Sequence, residues 1–314
     1  MAFINFFVCE MIKIIKNTNG NFKTDNIFQS SKSLKAFMKS NGVAFNKRLG
    51  QNFLMNGAVL KKIVRKADVV GCGVLEVGAG LGNLTEVLVN SAMKVVAVEF
   101  DSGLFKILKN RFEGVQNLVL VNADVLKLNL KQLFAVEFDG MAVKICANLP
   151  YYITSRFVAN VLEQRLNLRS ITIMVQREAA IRLCATPGSS NCSAISCLVN
   201  YYSEPSIWFD VPSHCFYPVP KVASCVINLK LKLAGNGLEI DDEFMFFKFI
   251  KIAFSERRKI IAMPLSKRLN LDKNKLKEFL VSKGLKMNLR AQELSLEQFA
   301  ILYREVTMNL ERLK

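Results

Sequence analysis

Residues 74–85, with the sequence VLEVGAGLGNLT, decide the fold class of this chain. The apolar start predicts a buried strand, and from Leu84 onward apolar residues recur at helical spacing. Between them, Gly78, Gly80 and Gly82 predict a tight turn, because glycine adopts left-handed backbone conformations at little cost. Such a turn lets a ligand approach the backbone and the amides of the following helix. A tight turn that binds nothing is the alternative interpretation.

Predicted strands and helices alternate along the next part of the chain. Further strands are predicted at 94–101, 118–128 and 140–152, and helical spacing recurs at 58–67, 84–92 and 102–112. This alternation predicts an α/β fold with a parallel sheet and right-handed crossovers. Strands are also predicted at 170–177 and 222–233.

Polar residues stand at the ends of successive predicted strands. Glu99 lies 21 residues after Gly78, where an acid binds ribose hydroxyls in nucleotide-binding sheets, although a solvated strand end is the alternative. Asp124 ends the third strand and could accept a hydrogen bond from the exocyclic amine of a cofactor adenine. With Asn148 after the fourth strand, these residues should converge on one crevice. They predict an adenosine moiety and leave S-adenosylmethionine and a nicotinamide dinucleotide open, although Asn83 departs from the dinucleotide fingerprint.

The motif NLPY, which follows the fourth predicted strand, favours a methyl-transfer site. Pro150 fixes its own φ and biases Leu149 toward an extended conformation, so the carbonyls of the motif are expected to point outward. An amino group on a planar base would fit beside these carbonyls, the side-chain carbonyl of Asn148 and the flat ring of Tyr151. The alternative is a proline turn capped by buried tyrosines, and Tyr152 is expected to pack rather than stack.

The composition indicates a polyanionic partner. The chain has 314 residues, of which 51% are hydrophobic, enough for one large domain or two ordinary ones with a substantial core. Its net charge of +17 favours nucleic acid first and an anionic membrane surface second, with compositional bias as the alternative. The densest basic clusters predict phosphate contacts, against the alternative of a solvated helix face; they contain Arg257, Arg258, Lys259, Lys267 and Arg268.

The cysteines are expected to be reduced core residues. The eight cysteines form no C-x-x-C pair and His214 is the only histidine, so no metal site is expected. Cys146 and Cys225 lie in apolar strand-like runs, where cysteine acts as a small hydrophobe. The chain lacks secretory features, which predicts a cytoplasmic protein.

Three regions are expected along the chain. Residues 1–42 read as an extension of uncertain order, with a loop over the polar stretch 16–33. The apolar start is too short for a membrane span and lacks the features of a signal or transit peptide. Residues 43–234 should form the α/β domain and, after a glycine break, residues 238–314 a basic all-α domain.

The order of motifs resembles that of the ribosomal RNA adenine N6-dimethyltransferases. The motifs are KRLGQNFL (47–54), LEVGAGLGNLT, AVEFD, NADVLKL, NLPY, MVQREAAIRLCATPGS (174–189), VPSHCFYPVPKV (211–222), AFSERRK (253–259) and RAQELSLEQFA (290–300). The resemblance covers 45–306 and is greatest to the bacterial members that dimethylate two adjacent adenosines in the terminal hairpin of 16S rRNA. It implies a Rossmann-like class I S-adenosylmethionine-dependent methyltransferase domain, a small all-α C-terminal domain, the immature 30S subunit as partner, and a monomer.

The resemblance also implies roles for individual residues. Cofactor binding falls to Asn52, Leu54, Gly78, Gly80, Glu99 (ribose), Asp124 (adenine amine) and Asn148. Catalysis falls to Asn148, Leu149, Pro150 and Tyr151, with Tyr151 and Phe216 stacking on the two faces of a flipped-out adenine. Ala79, where the family often has proline, should loosen the glycine turn slightly.

The implied reaction transfers a methyl group from a sulfonium to adenine N6. Hydrogen bonds from the amine to the Asn148 side chain and the Leu149 carbonyl would raise the electron density on N6 and align it with the methyl. The proton can leave after transfer, so no strong base is needed, and His214 is expected to be structural.

Three rival functions remain open on the sequence. An antibiotic-resistance methyltransferase acting on large-subunit rRNA would share the cofactor motifs and Tyr151. An assembly factor that binds pre-ribosomes could methylate only secondarily. An NAD-binding oxidoreductase fits least well, because of Asn83 and the lack of a suitable acid–base pair.

Overall fold

The computed structural model describes residues 13–16, 31–40, 42–43, 51–232, 237–238 and 240–314. Its strands are β1 (Lys13–Lys16), β2 (Phe53–Leu54), β3 (Gly73–Val77), β4 (Lys94–Glu99), β5 (Leu118–Asn122), β6 (Val143–Asn148), β7 (Leu168–Gln176), β8 (Ser203–Val211), β9 (Phe216–Tyr217) and β10 (Ser224–Leu231). Its α-helices are α1 (Ser31–Ser40), α2 (Gly57–Ala67), α3 (Asn83–Val89), α4 (Ser102–Arg111), α5 (Leu130–Glu137), α6 (Thr154–Glu163), α7 (Arg177–Leu183), α8 (Ala194–Tyr202), α9 (Glu243–Ala253), α10 (Ala262–Leu269), α11 (Lys273–Ser282), α12 (Leu296–Met308) and α13 (Leu310–Leu313).

A central sheet has the strand order β1-β5-β4-β3-β6-β7-β10-β8, and β2 pairs separately with β9. Strands β3 to β7 pair in parallel, whereas β10 runs antiparallel to β7 and β1 antiparallel to β5. Every residue of β3 is buried, as expected for a strand covered on both faces. The predicted α/β fold with a parallel sheet is confirmed, and the four predicted strand ends meet at one edge.

Helix α2 shows how the apolar pattern becomes packing. Asn56 caps its first turn by accepting from the Val59 amide at 3.0 Å. Its buried residues include Leu60, Ile63 and Val64, at the helical spacing that predicted this helix. They join the core cluster on the sheet, so the helix covers β3 and its neighbours.

Several elements were not predicted. The described parts of the N-terminal extension contain β1, which pairs with the edge of β5, and α1. The expected loop over 16–33 is therefore wrong at Lys16 and at residues 31–33, and the rest of that stretch lies outside the described residues. Strand β8 begins with Ser-Glu-Pro and alternates irregularly between buried and exposed positions, which hid it from the period-two pattern.

The chain divides into two compact units. The first contains the described residues of Met1–Ala180 together with Ser206–Leu231. The second contains Ile181–Pro205 together with the described residues of Lys232–Lys314. This grouping places 181–205 with the C-terminal helices, whereas the predicted domain 43–234 included it; the boundary near 235–237 stays a prediction.

The second unit is helical, as the pattern after residue 241 predicts. Asp242, Asp272 and Ser295 each accept a backbone N–H in the first turn of α9, α11 and α12. The hydroxyls of Tyr201 and Tyr202 both donate to the Glu243 carboxylate at 2.7 Å, which ties α8 to α9. No helix among the described residues is long and apolar enough to cross a membrane.

Candidate active site

The glycine turn after β3 forms the floor of a cavity of about 260 Å³ in the first unit. Gly78, Gly80 and Gly82 have φ of 73°, 62° and 82°, in the left-handed region. The Gly78 amide donates to the Val98 carbonyl at 2.8 Å, which fixes the turn against β4. A Cβ at Gly82 would lie 2.4 Å from the Phe112 ring, so packing as well as φ requires glycine there.

Glu99, the last residue of β4, is held rigidly beside that turn. Its two carboxylate oxygens accept the amides of Gly80 and Asp101, each at 2.8 Å. Burial raises the pKa of Glu99, and those two backbone hydrogen bonds oppose the rise. A carboxylate has about four lone-pair positions, so both oxygens can still accept ligand hydroxyls.

Asp124 lines the same cavity two residues beyond β5. One of its oxygens accepts the Leu126 amide at 3.0 Å, and its carbonyl accepts the Lys127 amide at 2.9 Å. The turn is therefore closed by Asp124 itself, which leaves the second carboxylate oxygen available to a ligand.

Segment 51–54 forms a wall of the cavity and is tied down at several points. The Asn52 carbonyl accepts from the Asn148 side chain at 3.2 Å, and the Leu54 carbonyl accepts from the Asn83 side chain at 2.9 Å. Leu54 also pairs with Phe216 through the two-residue strands β2 and β9. The structure thus links this segment to both the glycine turn and the NLPY motif.

Asn83 is one site residue whose role the sequence did not reveal. It was singled out only as a departure from a dinucleotide fingerprint, yet its side chain bridges α3 and segment 51–54. Its Oδ1 accepts from Arg111 at 3.3 Å, and Arg111 also pairs with Glu86 and donates to the Leu81 carbonyl. Burial lowers the pKa of Arg111, although the charge of Glu86 opposes the shift. An asparagine that both donates and accepts is what this bridge requires.

Asn148 and Leu149 of the NLPY motif line the cavity. The Asn148 side chain donates to Asn52, and no described residue donates to its Oδ1 or to the Leu149 carbonyl. The Pro150 carbonyl was expected to be free, but it accepts the Ile153 amide at 3.2 Å and the Thr154 hydroxyl at 3.4 Å. These hydrogen bonds belong to the turn that precedes α6. The acceptor pair is therefore Asn148 and Leu149.

Tyr151 lies at the cavity, as expected, whereas Tyr152 is not packed as the sequence predicted. Tyr151 lines the cavity half-buried, and its hydroxyl lies 2.8 Å from the Ser224 hydroxyl. Tyr152 also lines the cavity but is 59% exposed, so the prediction that it packs was wrong. The turn into α6 buries Leu149 and Ile153 and leaves position 152 facing outward.

Two further side chains lie away from the cavity. Phe216, expected to stack on a base, is 2% exposed and packs in the core cluster, and the structure does not bring it among the lining residues. The β2–β9 pair buries it behind Leu54. His214 is exposed and does not line the cavity either.

Among the described residues, no group of three or more His, Cys, Asp or Glu side chains could hold a metal ion.

Glu76 lines the cavity and was overlooked because it sits inside an apolar strand. Glu76 is only 1% exposed, and its Oε2 has no hydrogen-bond partner among the described residues. Burial raises the pKa of Glu76 to about 8. A buried carboxyl oxygen without a partner at the cavity wall can accept a hydrogen bond from a ligand donor.

Basic residues line a second cavity, of about 510 Å³, in the second unit. Arg258 and Lys259 from the SERRK motif lie there with Lys273, Lys277 and Arg290. The motif follows α9 in a turn, so the alternative of a helix face is wrong for it. The other predicted basic residues do not line this cavity: Arg257 donates to the Ser190 carbonyl, and Lys267 and Arg268 are exposed at the end of α10.

The family model for ribosomal RNA adenine dimethylase matches residues 42–307. The chain belongs to the ribosomal RNA adenine dimethylase family. The resemblance stated from the motifs is thereby confirmed, and the chain is an enzyme of the adenine dimethyltransferase class. Membership covers both compact units, so the helical unit is part of the family architecture.

Curated relatives extend the comparison over most of the chain. The ribosomal RNA small subunit methyltransferase A of Alkaliphilus metalliredigens is 40% identical over 285 residues, which cover 90% of this chain and 98% of that protein. The protein of the same name from Lachnoclostridium phytofermentans is 38% identical over 262 residues, 82% of this chain and 90% of its own length.

Solved structures share the fold of the dimethylase. A dimethyladenosine transferase from Plasmodium falciparum superposes with a TM-score of 0.62 at 24% identity, covering 82% of this chain and 97% of the other. The 23S rRNA methyltransferase ErmE gives 0.61 at 24% identity, covering 81% and 99%. These similarities confirm the predicted fold class.

Proposed function

We propose that this chain transfers methyl groups from S-adenosylmethionine to N6 of two adjacent adenosines in the 3′-terminal hairpin loop of 16S rRNA. The observation that carries the proposal is the acceptor pair of Asn148 and Leu149, placed in one cavity with Glu99 and Asp124. Two curated relatives, 38% and 40% identical, are named small subunit methyltransferases. They support small-subunit rRNA over large-subunit rRNA as the substrate.

The donor groups of the cavity fit S-adenosylmethionine. Glu99 offers carboxylate oxygens to ribose hydroxyls, and Asp124 offers one to an adenine amine. The Oε2 of Glu76, which has no hydrogen-bond partner among the described residues, can accept a hydrogen bond from the ammonium group of S-adenosylmethionine. Gly78 and Gly80 keep the floor free of side chains, with Phe53 and Pro150 packed so close that a Cβ would crowd them.

Asn148 and Leu149 would position and activate the adenine amine. When bound, S-adenosylmethionine supplies an activated methyl group on its sulfonium sulfur. The Asn148 Oδ1 and the Leu149 carbonyl each accept one amine hydrogen, which directs the nitrogen lone pair away from the ring and out of its plane. The hydrogen bond from Asn148 to the Asn52 carbonyl orients the amide so that Oδ1 points to the substrate. Because both acceptors are neutral, the N6 proton leaves to water after transfer.

Tyr151 would stack on the flipped-out adenine. Its ring lines the cavity beside the acceptor pair, and the contact with Ser224 holds the ring in place. Stacking of a base on an aromatic side chain contributes about 1–3 kcal/mol. Phe216 would serve this role only after leaving the core, so we assign it to the support of Leu54.

The basic cavity of the second unit would bind the RNA backbone. Its lining carries five cationic side chains and one carboxylate, that of Glu293. Phosphate contacts of this kind give affinity and salt dependence rather than sequence readout. We expect the enzyme to act as a cytoplasmic monomer on the immature 30S subunit late in its assembly.

The experiment is methyl transfer from isotope-labelled S-adenosylmethionine to immature 30S and 50S subunits, followed by nucleoside analysis. We expect N6,N6-dimethyladenosine in 16S rRNA with the wild type and little with Asn148→Ala. The matched control is Asn110→Ala, an exposed asparagine outside the cavity. Label confined to 23S rRNA, or equal activity of all three proteins, would contradict the proposal. A maturation defect rescued fully by Asn148→Ala would favour the assembly factor.

A further inference from the structure

Helix α1 turns one apolar face toward the cofactor cavity. Leu34 is 0% and Met38 2% exposed, whereas Lys32, Lys35 and Lys39 lie exposed on the outer side. Leu34 and Met38 are four residues apart and share one face of the helix. The helix is therefore anchored by a pair of side chains that are fully inside the protein.

The partners of that face are residues of the cavity wall. Leu34 and Met38 belong to one cluster with Phe53, Leu81, Leu104 and Ile107. Phe53, Leu81 and Leu104 also line the cavity. The Phe53 ring lies against Gly80, where a Cβ would approach it to 3.1 Å. Phe53 thus has α1 on one side and the cofactor turn on the other.

The chain after α1 is fixed to the same surroundings. The Gly42 amide donates to the Lys39 carbonyl at 3.1 Å and the Val43 amide to the Met38 carbonyl at 3.0 Å, which closes the helix end. Val43 packs close to Gly103 in α4. Helix α1 also contacts strand β9. The Lys35 Nζ lies 5.5 Å from the centroid of the Tyr217 ring, and the Tyr217 backbone pairs with Phe53.

We propose that α1 is a positioning element of the cofactor site, which fixes Phe53 and with it segment 51–54 over the cavity. The inference rests on the proposed function only for the identity of the ligand. Segment 51–54 is held from the cavity side by the hydrogen bonds from Asn83 and Asn148, but strands β2 and β9, of two residues each, give it little backbone pairing. The packing of Leu34 and Met38 supplies the additional constraint.

The expected effect is on binding rather than on the chemical step. Loosening α1 lowers the fraction of molecules whose segment 51–54 is in place, and the apparent Kd rises in inverse proportion to that fraction. A fall to roughly one tenth would weaken S-adenosylmethionine binding about tenfold. Turnover at saturating cofactor should stay within about twofold, because the bound ligand restores the competent state.

The test compares Leu34→Ala and Met38→Ala with the exposed control Lys39→Ala and the conservative Met38→Leu. Calorimetric titration with S-adenosylmethionine gives Kd, and amide hydrogen exchange reports local opening. We expect weaker binding and faster exchange at Phe53 and Leu54 in the two alanine variants, with exchange in β3 unchanged. Both controls should match the wild type. If Leu34→Ala fails to fold, Met38→Val gives the same comparison with fewer atoms removed.

Two results would overturn the role of α1. One is unchanged affinity in variants whose exchange at Phe53 has increased. The other is faster exchange that spreads equally through β3, which would mean a general loss of stability. A wild-type chain that binds no S-adenosylmethionine would instead refute the proposed cofactor, so the two failures are distinguishable.

Discussion

Replacing Glu76 with glutamine should change how the stability of the protein depends on pH. The carboxyl is buried in β3, and burial raises its pKa from 4.5 to about 8. Because the folded pKa lies above the unfolded one, the native state keeps a proton that the unfolded chain releases. The stability that depends on this proton is complete below about pH 4.5 and is lost as the pH rises to about 8.

The size of the effect follows from the shift. One pKa unit corresponds to about 1.4 kcal/mol, so the rise of the Glu76 pKa from 4.5 to about 8 amounts to at most about 5 kcal/mol of unfolding free energy over the whole window. Between pH 5.5 and 7.5, the wild type should lose about 2–3 kcal/mol relative to Glu76→Gln, since glutamine keeps the shape and cannot ionise.

The assay is urea unfolding at a series of pH values, followed by the fluorescence of Trp208. This is the only tryptophan in the chain and it lies in the same compact unit as Glu76. Glu113→Gln, which changes an exposed carboxyl, is the control and should follow the wild type. A stability difference between wild type and Glu76→Gln that stays constant across the window would refute the assignment. So would a wild type that gains stability relative to the variant as the pH rises.

The remaining predictions concern the acceptor pair, the glycine turn and the basic cavity. Asn148→Ala should lower kcat at least tenfold while the Kd for S-adenosylmethionine changes by less than about threefold, and an equal loss in both would contradict its role. Gly82→Ala should destabilise the protein by about 2–4 kcal/mol in urea unfolding, because φ is 82° and the new Cβ meets Phe112. The control is Gly57→Ala, where the added Cβ meets open space, and a similar loss of stability in that variant would contradict the reason given. Arg258→Ala should reduce the slope of log affinity for 16S rRNA against log salt by about 1, and an unchanged slope would exclude a phosphate contact.

The parallel core was predictable because its signals are local. Each of β3 to β6 is a short, mostly apolar run that ends in a polar residue or is followed directly by glycine, and parallel strands must bring those ends to one edge. This alone places Gly78, Glu99, Asp124 and Asn148 in a common cavity. Residue type and order were sufficient, without knowledge of packing.

The features that the sequence did not reveal depend on distant partners. Strand β1 is a four-residue run whose meaning comes from β5, about a hundred residues later. The burial of Phe216 behind Leu54 and the exposure of Tyr152 are decided by a strand pair and a turn that no periodicity encodes. Glu76 lies inside an apolar strand, and Asn83 gains its role through contacts with the distant Leu54 carbonyl and Arg111.

In the proposed reaction, Asn148 and Leu149 direct methyl groups to adenosine amines in one rRNA hairpin. The most direct measurement is mass spectrometry of the 3′-terminal fragment of 16S rRNA after immature 30S subunits are incubated with the enzyme and labelled S-adenosylmethionine. We expect two labelled methyl groups on N6 of each of two adjacent adenosines. An unmodified fragment, or label on any other atom or nucleotide, would refute the proposed activity.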